Sequence, residues 1–99
     1  MLRQDEKHSM SEIHRELGTV YLLLERYPEA ERELALYTER REYDPEGLYR
    51  YGQVLEALNR PDEVRTTYRR AIEAAHTAPR YRQRIVAQWS RLAQRRLNR

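Results

Sequence analysis

The chain has 99 residues, of which 35% are charged and 39% hydrophobic, and its formal net charge is +3. That is one domain's length of polar chain with a thin core. No apolar run approaches the ~18 residues that cross a bilayer, and Met1 to Met10 is charged and lacks the apolar stretch of a secretory signal. With no cysteine there is no disulfide framework, no thiolate metal site and no thiol nucleophile. The expectation is a soluble helical protein, cytoplasmic or a soluble domain of a larger protein, without a membrane span.

The elements follow in chain order. Residues 1–10 read as a flexible N-terminal segment. A first helix is expected from Ser11 to about Arg26, because Ile13, Leu17, Val20, Tyr21 and Leu24 recur at helical spacing. Pro28 then opens a second helix, where its missing N–H costs nothing; Ala30, Leu34, Tyr37 and Tyr43 are its inward candidates. Asp44-Pro45-Glu46 combines a cap, a first-turn proline and a dipole-favoured acid. The third helix runs from there to about Leu58, with Leu48, Tyr51, Leu55 and Leu58 on one face. Asn59-Arg60-Pro61-Asp62-Glu63 starts a fourth, whose inward residues are Val64, Tyr68, Ala71, Ile72 and Ala75. Pro79 opens a fifth, with Tyr81, Ile85, Trp89 and Leu92 as its stripe.

The chain repeats itself. A shift of 34 residues pairs Glu12 with Glu46, Gly18 with Gly52, Val20 with Val54, Leu24 with Leu58, Arg26 with Arg60, Glu29 with Glu63, Glu39 with Glu73 and Pro45 with Pro79. Composition alone would give roughly three such identities. Such a period, without strand-like alternation, reads as a helix-turn-helix repeat. The units are 11–44, 45–78 and a basic capping helix at 79–97. Gly18 and Gly52 fall mid-helix, where glycine costs about 1 kcal/mol against alanine. Their repetition implies a close helix–helix approach, with Ala30 and Val64 as the expected small partners.

At these residues the chain resembles the tetratricopeptide repeat family. The resemblance is carried by Leu17-Gly18, Tyr21, Ala30 and Leu34 in the first unit, and by Tyr51-Gly52, Leu55, Val64, Tyr68 and Ala71 in the second. It implies an all-α fold of antiparallel helix-turn-helix repeats, an α-solenoid of about five helices. The repeat-packing set is then Leu17, Gly18, Tyr21, Ala30, Leu34, Tyr51, Gly52, Leu55, Val64, Tyr68 and Trp89. The sequence departs from the family pattern at His14, Tyr37 and Val64.

The family binds peptides in a groove lined by the first helix of each repeat. Carried onto this chain, the groove residues are Arg15, Thr19, Tyr49, Arg50, Gln53, Arg80 and Arg84. Some members clamp a terminal carboxylate with basic residues and two asparagines. Here Arg15, Arg80 and Arg84 stand at the basic positions, while Thr19 and Arg50 replace the asparagines. A groove for an acidic segment follows, since guanidinium groups pair carboxylates well.

Charge and chemistry sort the remaining function classes. Residues 1–46 carry 12 acids and 7 bases, whereas residues 47–99 carry 4 acids and 12 bases. This asymmetry suggests an acidic partner, nucleic acid, or antiparallel or head-to-tail pairing between copies; since two repeats and a cap are few for such an array, a homodimer or a place in a larger repeat array is expected. Seven arginines and no acid in residues 80–99 make nucleic-acid binding the second reading. His8, His14 and His76 are far apart, and no nucleophile–base signature or phosphate loop is present. No catalysis, metal or cofactor is expected.

Overall fold

The computed structural model describes residues 3–99, with side chains from Ser11 onward. It comprises five helices: α1 (Arg3–Leu23), α2 (Tyr27–Arg40), α3 (Pro45–Ala57), α4 (Pro61–His76) and α5 (Arg80–Leu97). Among the described residues there is no strand. The fold is all-α, as expected. α1 begins at Arg3, not Ser11, and so takes in most of the segment set apart as 1–10; the side chains of that segment lie outside the described residues. No helix among the described residues is long and apolar enough to cross a membrane.

Links at 24–26, 41–44, 58–60 and 77–79 are too short for anything but a reversal, so each helix runs back along its predecessor. Beyond these sequential neighbours, α1 approaches α3 and α3 approaches α5, while α2 and α4 do not meet. The odd helices therefore lie side by side and the even helices are separate, contacts consistent with stacked helical hairpins. The body is flat, 46 × 34 × 19 Å.

The 34-residue register recurs in the geometry of the turns. Glu25 and Asn59 both adopt the left-handed conformation, at φ 60° and 58°. The N–H of Arg26 donates to the Tyr21 carbonyl at 2.8 Å and that of Arg60 to the Leu55 carbonyl at 3.1 Å, the long bond of a Schellman cap. Arg26 then donates to Glu29, and Arg60 to Glu63, across the first turn of the next helix.

The glycines close the hairpins. A Cβ on Gly18 would lie 2.9 Å from Leu34 Cδ2, and one on Gly52 would lie 2.8 Å from Tyr68 Cδ1. The facing residues are therefore Leu34 and Tyr68, not Ala30 and Val64. A large side chain fills the space that each glycine vacates, and both Leu34 and Tyr68 are fully buried. Ala30 is buried beside Leu34 and Val54, with Tyr21, Tyr51 and Leu58 packed around them. The second cluster gathers Leu48, Tyr49, Tyr68, Ala71, Ala74 and Ala93, with Val64 and Trp89 against it. Leu55 is fully buried as well.

Two expected stripes are placed differently. On α1, Leu17 is 41% exposed and Ile13 and Val20 are half exposed, as is Leu24 just beyond its end, at 61%; α1 instead turns Ser11, Gly18 and Tyr21 inward. Leu17 is thus no repeat-packing residue within this chain. On α5, Tyr81 and Ile85 are exposed while Val86 and Ala93 are buried. α3 and α5 also start differently. The Asp44 carboxylate accepts from the N–H of Glu46 at 3.1 Å, and Pro45 is the first helical residue of α3. The counterpart of Asp44 one period on is Ala78, which has no side-chain acceptor, and Pro79 stands at the cap of α5 instead. The packed side of α5 is formed by Val86, Trp89, Leu92 and Ala93. Tyr43 is also exposed, because α2 ends at Arg40 and leaves it in the link.

Candidate functional site

A cleft of about 540 Å³ opens where the middle of α1, the α2–α3 link and the first half of α5 converge. Its floor is aromatic and aliphatic: Tyr37, Val86 and Trp89, with Ile85 and Tyr43 at the rim. Its charged lining is mixed, with Arg15, Arg40, Arg41 and Arg82 set among Glu12, Glu42, Asp44 and Glu46. A second hollow adjoins it and shares Tyr43, Arg82 and Val86, so these three residues stand on the ridge between the two.

The fold fixes this lining from below. Tyr37 leaves the last turn of α2 and donates its hydroxyl to Asp44, the residue that also caps α3. Burial first, and then that hydrogen bond, pushes the Tyr37 phenol well above its usual range, so it is a fixed donor at neutral pH. Arg15 reaches across from α1 to Asp44 at 3.6 Å and Glu46 at 3.7 Å, over the Tyr37 ring at 5.8 Å. Burial works against the Arg15 charge, but Glu46, Tyr37 and Asp44 outweigh it and hold its pKa above the ordinary value. Arg15 is thus committed to internal partners. Arg40 and Arg82 are exposed and form no ion pair among the described residues, so they are the cations available to a ligand.

The rest of the expected groove is dispersed. The Thr19 hydroxyl donates to the Arg15 carbonyl at 2.8 Å, a bond within its own helix. Tyr49 is a correction: it is only 5% exposed, held between Tyr68 and Trp89 with ring centroids at 5.7 Å, and presents nothing to a ligand. Its place in α3 falls on the side facing α4 and α5. Arg50 lies over Trp89 at 5.3 Å and donates to Gln53 at 3.1 Å. Its Nε is buried without a hydrogen-bond partner among the described residues, and the aromatic face compensates in part. Arg50 and Gln53 lie outside the cleft lining. Arg80 and Arg84 are exposed but do not line the cleft, because residues two apart on a helix point to opposite sides; Arg82 takes the position facing it.

Sequence reasoning missed Arg40, Tyr43, Arg82 and Ile85. Only Tyr43 and Ile85 gave a signal, as apolar residues assigned to stripes that had no room for them. A separate tether holds α5 in place below the cleft: the Glu56 carboxylate accepts from the Tyr68 hydroxyl at 2.8 Å and from Arg96 Nε at 2.9 Å. Among the described residues no group of three or more His, Asp or Glu is placed to hold a metal ion. Comparison with protein-family models, with curated proteins and with solved structures gives no match.

Proposed function

We propose that the chain is a noncatalytic protein-interaction module of tetratricopeptide-repeat type that takes a peptide segment in this cleft and also associates with itself. The observation that carries the reading is the cleft itself. An apolar floor is joined at its rim by Ile85 and Tyr43, 62% and 73% exposed, and by Arg40 and Arg82, which form no ion pair among the described residues. Exposed aromatic and aliphatic groups beside unpaired guanidinium suit a segment with one apolar anchor flanked by acids. The acidic character comes from Arg40 and Arg82, not from the terminal-carboxylate positions, where Arg80 and Arg84 are dispersed.

Selection from a displayed peptide library tests this. Enriched sequences should carry acids around an apolar residue. Arg82→Glu should weaken them by about tenfold, the equivalent of ~1.4 kcal/mol. Enriched peptides that bind Arg82→Glu and Ile85→Asp as well as the wild type would refute the cleft.

One observation favours a second reading. Arg84, Gln88, Arg91 and Arg95 are exposed and recur at one-turn spacing along α5, a basic row of the kind that tracks phosphates. Binding of an oligonucleotide with a steep salt slope, lost in Arg84→Glu/Arg91→Glu, would support it; binding unaffected by salt would refute it.

A further inference from the structure

The exposed stripe on α1 has a counterpart inside the same molecule. One period of 34 residues carries Ile13, Leu17, Val20 and Leu24 onto Gly47, Tyr51, Val54 and Leu58. Those residues, three in α3 and Leu58 at its C-cap, are the face on which α2 sits. A Cβ on Gly47 would meet the Tyr37 ring at 2.6 Å, and Val54, Tyr51 and Leu58 pack with Ala30 and Leu34. The α1 stripe is therefore built as a seat for another helix running antiparallel to it, and among the described residues none occupies it.

We infer that the occupant is a second copy of this chain, seated so that the α1 helices of the two protomers pair antiparallel about a twofold axis. This deepens the self-association part of the reading above and rests on it; the peptide cleft is independent of it. The stripe is spaced four, three and four residues, the seam of a helix pair, and such a seam is self-complementary under a twofold axis. Head-to-tail stacking would set the apolar stripe against α5, whose outward row is the polar Arg84, Gln88, Arg91 and Arg95 and whose exposed Tyr81 and Ile85 sit at its N-terminal end beside the cleft. The area also suffices. At 50%, 41%, 50% and 61% exposure, the four stripe residues present on the order of 400 Å² per protomer, comparable with the functional patches of single proteins. Interfaces are roughly half polar rim, so the pairing would bury about 1,400 Å² in total, within the range of specific dimers. The twofold axis passes between Leu17 and Val20 and sets Ile13 opposite the partner's Leu24.

Light scattering after size exclusion, with the full chain at low and high salt, tests the proposal. The wild type should show twice the chain mass at both, since an apolar seam is not screened. Leu17→Glu/Val20→Glu should be a folded monomer by circular dichroism, its dimer dissociation constant raised more than a hundredfold. Arg84→Glu/Arg91→Glu, on the opposite end, should stay dimeric. Because the chain has no cysteine, the geometry can be read by oxidation. A mixture of Ile13→Cys and Leu24→Cys should form a crosslinked heterodimer, while neither alone should crosslink. A dimer that survives Leu17→Glu/Val20→Glu, or Ile13→Cys crosslinking to itself, overturns the face and leaves self-association standing. A wild-type monomer at all concentrations overturns both and leaves the peptide cleft untouched.

Discussion

Gly52→Ala places the two largest opposing effects at one atom. Alanine in place of a mid-helix glycine should stabilise by about 1 kcal/mol through helix propensity alone. Against this, the new Cβ would sit 2.8 Å from both Cδ1 and Cζ of Tyr68. The ring cannot swing aside. It is fully buried, it packs on Tyr49 at 5.7 Å, and its hydroxyl is anchored on Glu56 at 2.8 Å. Overpacking a core costs about 1–3 kcal/mol, and a ring held at both ends belongs near the top of that range. The expected outcome is a net loss of about 1–2 kcal/mol, read as a fall in melting temperature of roughly 5–15 °C. Thermal and urea unfolding followed by circular dichroism would measure it. A Gly52→Ala variant as stable as the wild type, or more so, would refute the close approach of α3 and α4. Gly18→Ala faces Leu34, which has no polar anchor, and should lose less.

Three further outcomes follow from the same geometry. Glu25→Gly should raise stability by about 1 kcal/mol, because the left-handed backbone there penalises any side chain; unchanged unfolding would contradict the turn. Arg96→Met should cost about 1–2 kcal/mol, since it leaves the half-buried Glu56 with fewer donors and loosens α5 from α3; a loss below ~0.5 kcal/mol would count against the tether. Burial, and then the bonds to Asp44 and Glu56, raise the Tyr37 and Tyr68 phenols above their usual range. The stability linked to them is fully present below the unfolded tyrosine pKa, near 10, and is lost as the pH rises past it. The urea midpoint should therefore fall between about pH 9 and pH 11, and less steeply in Tyr68→Phe; a flat profile would contradict their burial.

The sequence-derived reading reached furthest where identity repeats. Gly18 and Gly52, the start of α4 after Asn59 and the cap at Asp44 were legible, because each is a local device; the turn at 24–26 was not, because Glu25 takes the left-handed conformation without a glycine to mark it and the expected first helix runs on to Arg26. Burial was less legible, because periodicity marks an apolar face without saying what covers it. Leu17 and Val20 have the spacing of core residues and are exposed, because among the described residues no helix packs on that side of α1. On α5, Trp89 and Leu92 pack as their spacing implies, whereas Tyr81 and Ile85 of the same stripe are exposed, a difference that hydrophobic spacing cannot show. The cleft joins Arg15, Tyr43 and Arg82 from three distant segments, so no local motif announces it, and the expected Tyr49 lies in the core because its side of α3 faces Tyr68 and Trp89.

The central claim is that a partner segment enters the cleft between α1, the α2–α3 link and α5. The most direct measurement is amide chemical-shift mapping of the ¹⁵N-labelled chain on addition of a peptide enriched by selection. The account predicts perturbations concentrated at Arg40 to Asp44 and at Arg82 to Trp89, with the far faces of α4 and α5 unmoved. Perturbations confined to the Arg84, Arg91 and Arg95 row, or to the exposed face of α1, would contradict it.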